Sequence, residues 1–322
     1  MLITRLKQVV SNDLNKVDKL IISSLYSDIA LVQDIGKHII QGGGKRLRPL
    51  LVLISANACG YSGDQQITLA AVIEFIHTAT LLHDDVVDGS MLRRGNATAN
   101  NKWGNEAAVL VGDFLYSRAF QLMVTTQNVE ILRIIANATN TIAEGEVLQL
   151  LHQHNPETTE KNYLHVIRCK TAKLFEAAAE VGAVLANMPL HIQQALAQYG
   201  LHMGTAYQLI DDLLDYRSDN EAFGKALGND LAEGKPTMPL IYLFQQGSPQ
   251  QRALVAEAIS NPSSSNLPEI QKVIMSSGAL DYTLAFARRE ANLAKQAISE
   301  LDASEHKTSA LDLADFVVNR DH

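Results

Sequence analysis

Apolar residues recur at helical spacing along most of the chain, and strand-like alternation of any length is hard to find. Residues 65–88, QQITLAAVIEFIHTATLLHDDVVD, are apolar on most faces, the pattern of a helix buried inside a bundle. Asp64 stands where its N-cap would be. The same spacing predicts helices over 105–125, 130–152, 160–186 and 192–216. No proline lies between Pro49 and Pro156, which favours long helices. Loops are marked at 42–44, 155–156, 224–239, 247–249 and 261–268, and none is long enough to read as an interdomain linker. The expectation is one all-α domain over residues 1–322, with ten or more helices.

Composition supports a large core, since 47% of the residues are hydrophobic. The formal net charge of −8 argues against a nucleic-acid partner, which needs a broad basic surface. The start, MLITRLKQVVSNDLNKVDKLI, breaks its apolar residues with charges and has no continuous secretory core. No uncharged apolar run approaches the ~20 residues of a membrane span. A cytoplasmic protein without a transmembrane segment is therefore expected. Cys59 and Cys169 lack any metal-ligand spacing, and buried free thiols in a reducing compartment are the expectation.

One internal echo changes the picture. Residues 77–88 read HTATLLHDDVVD and residues 204–215 read GTAYQLIDDLLD, two aspartate boxes with matching upstream context. On a helix, Asp84 and Asp88 share a face with Asp85 beside it, and Asp211, Asp212 and Asp215 repeat the arrangement. Like charges at this spacing cost a helix about 0.2–0.5 kcal/mol per pair, and aspartate is a poor helix former. A solvated acidic helix end explains one such box readily, but two matching boxes call for a hard cation. Mg²⁺ suits carboxylates that also meet a phosphate substrate. The echo suggests two helices presenting the same equipment to one cavity.

Cationic residues complement the boxes. GGGKRLRP supplies Lys45, Arg46 and Arg48; Arg93 and Arg94 follow the first box; Lys225 and Lys235 follow the second. Arginine suits bidentate phosphate contacts and lysine point-charge contacts. Each cluster alone reads as a solvated face, but beside the aspartates they look like two anion sites. His77 lies two turns before Asp84 on nearly the same face, and Lys170, Thr171 and Gln208 are polar positions in apolar helical stretches.

These motifs together resemble the trans-isoprenyl diphosphate synthase family. The likeness runs from GGGKRLRP (42–49) through LLHDDVVDGSMLRRG (81–95), IAEGEVLQL (142–150), KTAKLF (170–175) and QLIDDLLDY (208–216) to GKALGNDLAEGKPTMP (224–239), covering most of the chain in the family's order. The resemblance implies an all-α bundle around a deep central cavity, usually a homodimer. It implies that Asp84, Asp85, Asp88, Asp211, Asp212 and Asp215 hold about three Mg²⁺, as their charge count also suggests. By position, Lys45, Arg48, His77 and Arg94, with Arg46 beside them, would hold isopentenyl diphosphate. Arg93, Lys170, Lys225 and Lys235 would hold the allylic diphosphate, farnesyl diphosphate being the expected primer. Thr171 and Gln208 would face the reacting carbons. Gly89 stands where relatives often carry an acidic residue, and altered loop flexibility is expected there.

The resemblance also bears on product length. The growing chain would run beside the first-box helix, where Ala79 and Thr80 lie one turn below Asp84 and leave room. Short-chain members block that place with an aromatic side chain, so a long product is expected, octaprenyl diphosphate for a quinone side chain. Met123, on the following helix, is the candidate floor. A terpene cyclase would not need the isopentenyl diphosphate residues Lys45, Arg48 and His77. A non-catalytic subunit of a heteromeric synthase typically lacks one or both boxes, and both are intact here.

Overall fold

The computed structural model describes residues 2–217, 228–262 and 267–320. Among them are seventeen α-helices. In order these are α1 (Leu2–Val9), α2 (Ser11–Ser24), α3 (Ala30–Gln41), α4 (Leu47–Ala58), α5 (Gln65–Val87), α6 (Ala99–Trp103), α7 (Asn105–Val124) and α8 (Val129–His152). There follow α9 (Glu160–Ile167), α10 (Lys173–Leu185), α11 (Leu190–Leu214), α12 (Asn229–Ala232), α13 (Met238–Gln246), α14 (Pro249–Ser260), α15 (Leu267–Ser276), α16 (Ala279–Ala297) and α17 (Glu305–Val318). A small antiparallel hairpin, β1 (Leu92–Arg93) and β2 (Asn96–Ala97), lies between α5 and α6.

The chain divides into two compact units. The first comprises residues 1–139, 174–200 and 297–313, and the second residues 140–173, 201–296 and 314–322. In the first unit α5 packs against α2, α4 and α7. Helix α4 is buried on every face from Leu50 to Ala56, and its Pro49 sits in the first turn, where no intrahelical N–H is needed. Each fully buried Leu, Ile or Val there contributes roughly 1.5–3 kcal/mol. Gly182 of α10 lets that helix close on α4, because a Cβ there would stand 2.6 Å from the Ala56 amide nitrogen. In the second unit a core of Tyr216, Leu231, Leu240, Leu243, Val255, Ile259, Ile270 and Ile274 ties α12–α15 to the end of α11. A capping box, Ser248 with Gln251, and Pro249 start α14.

The expected helices are present, with four differences. The span 160–186 is not one helix: a π-turn, Arg168–Ala172, separates α9 from α10. Asp64 occupies the N-cap position of α5 but its side chain accepts no capping bond, turning instead to Lys16 at 3.3 Å. Cys59 and Cys169 are free thiols, yet both are part-exposed, not buried; partial burial still pushes the Cys59 thiol up to about 11. Finally, α5 and α7 are long and apolar enough to cross a membrane by length and composition alone. Two thirds of the relevant window of α5 is packed inside the protein, as a core helix requires.

Candidate active site

In the first unit, α5 ends at Val87 and Asp88 is its C-cap, so the first box stands at the helix's C-terminus. That is the negative pole of the macrodipole, the worse end for three carboxylates. Asp85 is fully buried and takes a fork from Arg93 of β1, with Nε–Oδ1 at 3.0 Å, Nη2–Oδ1 at 2.8 Å and Nε–Oδ2 at 3.2 Å. Asn100 of α6 donates to the Asp85 and Ser90 carbonyls, both at 3.1 Å, and closes the helix end. The chain turns back after Asp88 through Gly89, which adopts the left-handed conformation (φ +61) common just beyond a helix C-cap. The space around it is open, so an acidic residue would meet backbone strain there and not a clash.

The basic side chains of this unit gather around α4 and α5. Arg48 Nη1 lies 3.1 Å from His77 Nε2, and its guanidinium stacks 4.4 Å over the Phe175 ring. Burial first, then the charges of Arg48, Arg93 and Arg94, hold His77 well below its usual range. The imidazole is therefore neutral, with Nε2 accepting from Arg48 and the proton on Nδ1. Arg94 donates to the Gly43 carbonyl, tying the hairpin to the triple-glycine turn. Lys45 is half-exposed. Arg46, left-handed at φ 53, pairs with Asp18 and lies 3.9 Å from Glu74. Burial pushes the Glu74 carboxyl up, against the pull of Arg46, Arg48, Arg94 and Lys7. The sequence reading missed Glu74. Its signal was there: it is the one acidic residue in the apolar stretch before Asp84, a turn ahead of His77. Ala79 is fully buried, Thr80 is half-buried and donates to the His77 carbonyl at 2.8 Å, and Met123 is fully buried on α7.

In the second unit, α11 ends at Leu214, so the second box also stands at a helix C-terminus, with Asp215 just beyond it. Asp212 is buried and accepts from the Tyr163 hydroxyl and from Gln208 Nε2 at 2.8 Å. Burial first, and then Asp230, push its carboxyl well up, while those two hydrogen bonds pull it back. Burial likewise raises the Tyr163 phenol, which stays protonated and donates. Gln208 is bridged, since its Oε1 accepts from Thr171 at 2.9 Å. Asp215 Oδ2 accepts the Asp230 amide at 3.1 Å. Asp211 meets Arg320 at 3.2 Å, whose guanidinium also lies 4.0 Å over the Tyr207 ring. Lys170 Nζ is 2.6 Å from Glu146 Oε2, and Lys235 pairs with Glu233. Lys225 lies outside the described residues. A cleft of about 130 Å³ collects Tyr163, Lys170, Thr171, Gln208, Asp212, Asp230 and Lys235 on its walls. Tyr163, Asp230, Glu146 and Arg320 were not legible in the sequence, because each meets its partner across 15 to 109 residues.

Among the described residues no three His, Cys, Asp or Glu side chains converge as a ready-made metal cage. Each box offers carboxylates at a helix end, the donor set from which Mg²⁺ is held when substrate phosphates and water complete its shell. The residues present therefore fit a hard divalent ion that arrives with a phosphate ligand.

Comparison with known proteins supplies the family. The model of the polyprenyl synthetase family matches residues 29–275. The chain is 46% identical to an octaprenyl diphosphate synthase of Haemophilus influenzae, over all of this chain and 98% of that one. It is 45% identical to an all-trans-nonaprenyl-diphosphate synthase, geranyl-diphosphate specific, of Rhodobacter capsulatus, over 97% of this chain and 96% of the other. Among solved structures, a polyprenyl synthase of Caulobacter crescentus complexed with calcium and isoprenyl diphosphate superposes with a TM-score of 0.96 at 43% identity, covering 99% of this chain and 98% of that one.

Proposed function

The chain belongs to the polyprenyl synthetase family, and from that premise we propose that it elongates farnesyl diphosphate with isopentenyl diphosphate to octaprenyl diphosphate, a quinone side-chain precursor. It is a long-chain trans-prenyl diphosphate synthase, a metal-dependent prenyltransferase acting on isoprenoid diphosphates. The observation that carries the metal-dependent ionisation of the diphosphate is that both aspartate boxes close a helix at its negative end. That placement is unfavourable unless cations sit there.

Asp84, Asp85 and Asp88 with Asp211, Asp212 and Asp215 would hold Mg²⁺, about three ions by charge balance. Bound Mg²⁺ supplies Lewis-acid charge that stabilises the departing diphosphate. That the Caulobacter relative is complexed with calcium and isoprenyl diphosphate supports a divalent ion of this kind. Lys170, Lys235, Arg93 and Lys225 bind the allylic diphosphate. Lys45, Arg48, His77 and Arg94, with Arg46, bind isopentenyl diphosphate, and the neutral His77 serves as a hydrogen-bonding group without adding charge. The allylic C–O bond breaks, and the double bond of isopentenyl diphosphate supplies the electrons of the new C–C bond. A proton then leaves to the released diphosphate. Thr171 and Gln208 turn oxygen dipoles toward the cation that forms between these events. The whole chain acts as one catalytic domain, in a cytoplasmic homodimer.

A nonaprenyl product is the second reading, favoured by the 45% identity to the Rhodobacter enzyme. The test is incubation of the pure protein with labelled isopentenyl diphosphate and Mg²⁺, with farnesyl or geranyl diphosphate as primer. Incorporation from farnesyl diphosphate that chelation abolishes is expected. Incorporation from geranyl diphosphate alone would replace the primer, and metal-independent incorporation would remove the role given to the boxes.

A further inference from the structure

Helix α8 crosses the π-turn Arg168–Ala172 at a point that leaves no room for a side chain. Gly145 stands at that crossing. A Cβ there would lie 2.6 Å from the Lys170 amide nitrogen and 2.9 Å from both the carbonyl carbon and the Cβ of Cys169. Two of those three atoms are backbone, so no rotamer change relieves the contact. The next residue, Glu146, reaches the same turn, with its carboxylate 2.6 Å from Lys170 Nζ. The turn is held at two further points. Arg168 meets the buried Glu290 at 3.5 Å, which also takes His202 at 2.6 Å. Thr171 donates to Gln208 at 2.9 Å. One residue inserted into a helix rotates everything after it by about 100°. π-turns of this kind recur where a side chain must be re-aimed at a functional site.

The geometry points to Gly145 and Glu146 as positioning residues for Lys170. The glycine seats the π-turn backbone against α8, and the glutamate steers the ammonium along the cleft wall to meet the allylic diphosphate. The inference rests on the proposed prenyl transfer and on Lys170 as a ligand of that diphosphate. Neither residue touches substrate, so the effect must appear through Lys170.

Steady-state kinetics of Gly145→Ala, Glu146→Ala and Glu146→Gln, with the two substrates varied separately, test it. Gly145→Ala is expected to raise KM for farnesyl diphosphate and lower kcat, about 10- to 100-fold in kcat/KM, since a 1 Å misplacement can cost that much. KM for isopentenyl diphosphate should stay within about two-fold, because uniform loss of structure would move both. Glu146→Ala should shift the same parameter less, and Glu146→Gln, whose carbonyl oxygen still accepts from the ammonium, should restore most of it. Should Gly145→Ala fail to fold, the Glu146 pair decides. Unchanged kinetics, a parallel rise in both KM values, or a fall in KM for farnesyl diphosphate in Glu146→Ala would each overturn the inference. Wild-type protein that does not elongate farnesyl diphosphate would overturn the underlying reaction and this inference with it. Variants that match an active wild type would overturn this inference alone.

Discussion

At the scale of single residues, charge state and size decide what the site can do. His77 is neutral because it is buried among Arg48, Arg93 and Arg94, which depresses its pKa below the usual 6.5. Below about pH 6.5 the unfolded chain takes a proton that the folded chain excludes. The stabilising contribution of His77 is thus present above that pH and lost as the pH falls below it. Glu74, raised by burial in the same cluster, acts in the opposite sense, so the comparison must be between variants. Thermal unfolding at pH 7.5 and pH 5.5 should show a larger loss for wild type than for His77→Gln. Equal losses would mean that His77 is charged when folded. Size matters at Ala79, fully buried one turn below Asp84. Ala79→Tyr should shorten the product sharply, and Met123→Ala should lengthen it. An unchanged product from the first variant removes the chain-length role of this helix face, and from the second removes Met123 as the floor. The aspartates and His77 were visible in the sequence because helical spacing groups them, and Lys170 because it lies in a motif shared with the family. Tyr163 and Glu146 were not, because a hydrogen bond between residues 49 or 24 positions apart leaves no periodic trace.

At the scale of elements, the two box helices carry the same liability. Both α5 and α11 end in carboxylates at the negative pole, where charge of that sign is unfavourable by about 0.3–1 kcal/mol per group at exposed sites. Asp88→Asn should shrink the stabilisation that Mg²⁺ with a diphosphate gives the wild type. Denaturant titration with and without these ligands measures it. A variant that these ligands stabilise as much as the wild type would remove Asp88 from the metal site. Long helices such as α5, α7 and α8 could be read from apolar periodicity because each turns apolar residues at helical spacing inward, α7 along the stripe Ala108, Val111, Leu115, Ala119 and Met123. The π-turn could not. Its single inserted residue hardly disturbs the apolar pattern of 160–186, and the close crossing with α8 at Gly145 that goes with it is a contact no local pattern encodes. Asp64 marks the start of α5 by type and position, but Lys16 draws its carboxylate away from the helix amides.

At the scale of the whole molecule, the sequence reading reached the fold class and the family because their signals are spread along the chain. Helical periodicity runs through both compact units, and the motifs lie in order from the triple glycine to Lys235. The partition into two units was not legible, since no loop has the length or composition of a linker and α8, α11 and α17 each contribute residues to both. Product length is the property that depends most on the chain as a whole, and it is also where relatives of equal identity differ. Mass spectrometry of the dephosphorylated product made from farnesyl diphosphate, isopentenyl diphosphate and Mg²⁺ is therefore the most direct measurement. The account predicts the octaprenyl alcohol as the dominant species. A geranylgeranyl or shorter alcohol, a cyclic hydrocarbon, or no product at all would contradict it.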